Sequence, residues 1–178
     1  MVWIAASFIL IVVAALTAVS VLVGWRLAHP ARKAVDDSPE KYGLMYESVE
    51  FPSRVGGVKL CGWFLPSVLP EAKLTIIVSH GYAGNRLEKG LPALALCSSL
   101  VEEGFNLLMF DFRNSGESEG TMTTVGYMEK QDLLGAIDWV KEHKPGKIGL
   151  LGFSMGEHFD LSRRYGFVRM RYSRRQCI

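Results

Sequence analysis

The sequence predicts an α/β domain preceded by a membrane-spanning helix, on three observations. The short apolar runs 74–78, 105–110 and 147–153 lack alternation, which is the pattern of strands covered by helices on both faces. Stretches with helical spacing separate them, 91–103 and 127–143, and strands alternating with helices imply a parallel sheet joined by crossover helices. Residues 2–24 form an apolar run broken only by Ser7, Thr17 and Ser20, and about 20 such residues match the hydrocarbon thickness of a bilayer.

The N-terminal run has no polar face, so it does not read as a helix of a soluble core. Trp3 and Trp25 stand at its ends, where indole rings favour the headgroup layer. No Lys or Arg precedes it, as a secretory signal would require; cleavage is the alternative, because Ala and Ser recur within the run. Arg26, Arg32 and Lys33 follow the span, so the positive-inside rule places the rest of the chain in the cytoplasm. Residues 25–41, polar and containing Pro30 and Pro39, read as a linker.

The domain proper is expected over 42–156. Tyr42 to Phe51 and Val58 to Leu65 are β-prone and are joined by a segment containing Gly56-Gly57, which predicts an antiparallel hairpin opening the sheet. The helix over Leu91 to Glu103 is closed by Gly104. In the second helix Leu133, Leu134, Ile137, Trp139 and Val140 share an apolar side, and Pro145-Gly146 ends it. Lys147 to Phe153 is the last apolar strand. Lys and Arg together number 20 against 18 acidic residues, a balance that gives no reason to expect a nucleic-acid partner. The three cysteines, Cys61, Cys97 and Cys177, are too few and odd in number for a disulfide framework.

Three loops carry chemistry. Gly152-Phe153-Ser154-Met155-Gly156 follows directly on a buried strand, and a strand-to-helix turn this tight strains the serine and needs glycines two residues to either side. Ser79-His80-Gly81-Tyr82-Ala83-Gly84-Asn85-Arg86 follows the strand 74–78, and such a loop presents a backbone N–H toward the nucleophile. An oxyanion hole needs two donors: one is assigned to Met155, the other to Tyr82. His80 reads as a brace for its own loop and not as a catalytic base. Asp111 to Ser118, after the strand 105–110, reads as a loop organised by an Arg113–carboxylate pair and by Asx and Ser turns.

In this order, each at a strand's C-terminal end, the three motifs over Tyr42 to Gly156 resemble the α/β-hydrolase superfamily, specifically its serine aminopeptidase S33-like and dienelactone-hydrolase-like branches. The resemblance implies that Ser154 is the nucleophile, that Tyr82 and Met155 supply oxyanion N–H groups, and that the Asp111 to Ser118 loop shapes the pocket floor. It implies an esterase or peptidase-like acyl hydrolase acting on a small-molecule or peptide acyl substrate without metal or cofactor. An acyltransferase or thioesterase of the same fold is the alternative. It also implies a triad acid and histidine downstream of the serine.

Residues 157–178 depart from that pattern. His158 and Asp160 lie only four and six residues beyond Ser154, too near to serve as base and orienter. Every permanently charged basic residue there is arginine (Arg163, Arg164, Arg169, Arg171, Arg174, Arg175), whereas lysine is the commoner cation upstream, as an out-of-frame tail would produce. The expectation is a hydrolase fold truncated after the elbow, an inactive fragment as it stands, with the strand 147–153 left as an unpaired apolar edge.

Overall fold

The computed structural model describes residues 2–88, 90–155 and 168–171. The first helix, α1, is Val2–Ala28, four residues longer than the apolar run, and its segment Trp3–Ala28 has a mean hydropathy of 2.7 with its side chains exposed. By length and composition it can cross a membrane. After α1 the chain has no regular secondary structure until a 3-10 turn at Pro39–Tyr42, and then enters the sheet.

The strands are β1 (Glu47–Pro52), β2 (Lys59–Leu65), β3 (Thr75–Ser79), β4 (Asn106–Phe110), β5 (Ile148–Gly152) and β6 (Val168–Arg171). They form one sheet in the order β1-β2-β4-β3-β5-β6. β1 and β2 are the expected hairpin, antiparallel and in register from Glu47 opposite Phe64 to Pro52 opposite Lys59. Its turn uses Gly56 and Gly57 at φ of +85° and +62°, backbone that a side chain would strain. From β4 onward the pairs are parallel.

Among the described residues two helices cover the sheet, α2 (Ala93–Glu102) after β3 and α3 (Glu129–His143) after β4. Alternation along the strands divides the core. Ile77, Leu108 and Phe110 face one side with Leu133, Ile137 and Val140 of α3, while Ile76, Val78, Leu107 and Met109 face the other with Leu94, Cys97 and Val101 of α2. Each such buried Ile or Leu is worth about 1.5–3 kcal/mol, which is why the strands carry apolar residues on both faces. Cys97 is core filler: burial pushes its thiol up to about 12.

One expectation is corrected. β5 is not an unpaired edge, because β6 pairs with it in parallel from Gly149 opposite Val168 to Gly152 opposite Arg171. The pairing comes from within the arginine-rich tail, where backbone groups supply the ladder whatever the side chains are. The readings made for Gly156, His158, Asp160, Arg163, Arg164, Arg174 and Arg175 lie outside the described residues.

Candidate active site

β3, β4 and β5 are adjacent and parallel, so the three motif loops leave the same end of the sheet. Ser154 follows β5 by one residue and is exposed, with φ of +52°, the left-handed region that a non-glycine residue enters at a cost of about 1–2 kcal/mol. The backbone strain at the serine that the glycine spacing predicts is therefore present. Phe153 N–H donates to Ser79 O at 3.0 Å, which ties the turn to the end of β3.

Gly81 lies against the serine. A Cβ built on Gly81 would come within 3.4 Å of Ser154 Cβ and within 3.4 Å of Glu88 Oε2, so the loop after β3 passes between the serine and a carboxylate. Glu88 accepts the Gly81 N–H at 2.6 Å and holds that backbone in place. The sequence offered no sign of this role, since a lone glutamate in a polar loop has no distinguishing neighbours. Tyr82 is half-buried and donates its hydroxyl to Leu27 O, in the last turn of α1, at 2.7 Å. Met155 is buried within the α3-side core.

His80 is the brace expected of it. It is buried, and Phe112 N–H donates to its Nε2 at 3.0 Å while its Nδ1 bonds Gly81 O at 2.8 Å. A carbonyl only accepts, so Nδ1 carries the proton and the ring is neutral. Burial lowers its pKa below the ordinary histidine value. With both nitrogens engaged it has none to offer Ser154. Of the other described histidines, His29 and His143 bond carbonyls of their own helices, Trp25 O and Trp139 O.

Two buried ion pairs fix the surrounding loops. Asp111, at the end of β4, accepts from Arg86 N, Nε and Nη2 and from Glu117 N, so it joins the loop after β3 to the loop after β4. Gly116 makes room for that carboxylate, since any Cβ there would collide with it. Arg113 pairs with Asp132 of α3, Nη2 to Oδ1 at 2.6 Å, and also donates to Ser53 Oγ. The carboxylate partner that the sequence required for Arg113 is thus Asp132. Among the described residues no cluster of His, Cys, Asp and Glu could hold a metal ion. A cavity of about 360 Å³ at the seam of β1 and α3, lined by residues including Phe51, Pro52, Arg54 and Trp139, contains none of the residues around Ser154.

A mixed sheet with helices on both faces, and a strained serine at the C-terminal end of a central strand, define an α/β-hydrolase of the serine-hydrolase kind. Solved structures agree. The Pyrococcus furiosus esterase Pf2001 superposes with a TM-score of 0.66 at 35% identity over 72% of this chain and 50% of its own. A lidless α/β serine hydrolase from Xanthomonas campestris does so with a TM-score of 0.57 at 25% identity over 71% of this chain and 60% of its own. The chain belongs to the X-Pro dipeptidyl-peptidase (S15) family, whose profile matches residues 27–159. The uncharacterized protein YfhR of Salmonella typhimurium is 39% identical over 154 residues, 82% of this chain and 49% of that protein. The chain thus spans about half the length of the curated relatives it matches.

Proposed function

We propose that this chain is the nucleophile-bearing part of a membrane-anchored serine acyl hydrolase, an esterase or peptidase-like enzyme. The observation that carries the reading is the left-handed Ser154 at the end of β5 with Gly81 packed beside it. In this reading Ser154 Oγ adds to the substrate carbonyl carbon and its proton passes to a base. The N–H groups of Tyr82 and Met155 receive the charge that develops on the carbonyl oxygen. Collapse expels the leaving alkoxide or amine, which takes that proton, and water then releases the acyl group from the serine. The described histidines are engaged elsewhere, so the base and its acid partner are assigned outside the described residues, the chain spanning about half the length of its curated relatives.

Anchoring is assigned to α1, with Arg26, Arg32 and Lys33 holding the domain on the cytoplasmic side. The esterase named among the structural neighbours supports an acyl substrate.

The test is Ser154→Ala in the full-length protein with a short activated ester. Hydrolysis should vanish while the fold persists; near-normal turnover by the alanine variant would place the nucleophile elsewhere.

A further inference from the structure

The loop between β4 and α3 exposes a row of apolar side chains beside the end of α1. Met122, Val125 and Tyr127 are 43, 58 and 81% exposed. Thr123 N–H, between the first two, donates to Ala28 O, the last residue of α1, at 2.8 Å. Arg32, four residues beyond α1, donates through its guanidinium to Ser118 O and Gly120 O at the start of the same loop. The helix end and the loop are therefore one hydrogen-bonded unit.

The loop is held open by construction. Glu129 is buried, and its carboxylate accepts from Thr123 Oγ1, Thr124 N, Thr124 Oγ1 and Gly126 N. Burial raises its pKa, but those four bonds outweigh burial and hold it below the usual carboxylate value, so the staple is ionised at neutral pH. Val125 sits at φ of +51°, strained for a β-branched residue. A strained valine exposed at the tip of a stapled loop is retained at a cost, which a contact for its side chain would offset.

We propose that Met122, Val125 and Tyr127 form a second membrane contact that seats in the headgroup layer next to α1, with Arg26 and Lys33 adding attraction to anionic lipid. The occupant is the bilayer because the patch continues the surface of a helix long enough to span one, joined to that helix by a backbone hydrogen bond. The proposal rests on α1 being a membrane anchor. Tyr82 is bonded to the same last turn of α1 through Leu27 O, so this contact fixes the loop beside Ser154 at the membrane surface. An acyl substrate residing in the bilayer then reaches the site without crossing bulk water.

The experiment uses the full chain in vesicles of phosphatidylcholine and phosphatidylglycerol, with an environment-sensitive fluorophore on a single introduced cysteine and Cys61 and Cys177 changed to serine. Three positions are compared: Ser7→Cys within α1, Val125→Cys in the patch, and Glu71→Cys, exposed at the opposite end of β3. Nitroxide-bearing lipids should quench labels at Ser7 and Val125 several-fold more than at Glu71. Quenching at Ser7 with Val125 as unaffected as Glu71 would overturn the patch and leave the anchor standing. A blue shift at Val125 without lipid quenching would mean that the patch meets another copy of the chain and would also overturn it. Absence of quenching at Ser7 would overturn the anchor and, with it, this proposal.

Discussion

Arg86 and Asp111 form an ion pair shut off from solvent, with side-chain exposures of 1 and 0% and Nη2 lying 2.6 Å from Oδ2. The guanidinium also covers the Trp63 ring, 4.6 Å from its centroid, and reaches the exposed Glu117 carboxylate. This pair is the fastener between the loop that flanks Ser154 and the loop after β4.

Removing one member of such a pair strands the other in a low-dielectric interior, a loss of about 3–5 kcal/mol. Asp111→Asn should therefore lower unfolding stability by that amount in urea titrations of the detergent-solubilised protein. A loss below about 1 kcal/mol, the range of an exposed pair, would show that water reaches the site.

Ser154 carries strain that glycine would relieve. Ser154→Gly should be more stable than the parent by about 1 kcal/mol, because the left-handed conformation costs a residue with Cβ about 1–2 kcal/mol and the added chain entropy of glycine takes part of that back. The same variant has no nucleophile and should not react with a serine-directed phosphonate in the full-length protein. An unfolding midpoint equal to or below the parent's would mean the turn is unstrained.

His80 makes stability depend on pH. Its folded pKa lies below the unfolded value, so the unfolded chain binds the proton more readily as pH falls. Stability from this group is present above about pH 6.5 and is lost as pH drops from there toward the folded pKa. Glu129, also held below its ordinary value, acts in the same direction at lower pH. His80→Gln should flatten the slope of unfolding free energy between neutral pH and the carboxylate range; an unchanged slope would assign it to other groups.

What the sequence revealed was whatever lives in side-chain pattern. β3, β4 and β5 start or stop within a residue or two of the apolar runs, because burial on both faces demands those side chains. The serine turn was legible because glycine and serine at fixed spacing reflect a backbone constraint. Pairings that run through backbone atoms left no trace. Leu27 O, Ala28 O, Lys33 O and Ala34 O receive bonds from Tyr82, Thr123 and Asn85, so a segment that reads as a polar linker is docked along the site loops. The pairing of β6 was hidden for the same reason, and Glu88 because its partner is the N–H of a glycine.

The strand order has a consequence for where any ligand can sit. From β3 the chain winds outward through α2 to β4, then reverses over β3 through α3 to reach β5 on the far side. At such a reversal the connections that follow β3 and β4, α2 and α3, cover opposite faces of the sheet, and the carboxyl edge at that point is where sheets of this kind receive a ligand. The place of Ser154, just past the strand where the winding reverses, thus follows from connectivity alone. Substitutions in residues 81–88 can change what lies against the serine, but moving it would require rewiring the chain.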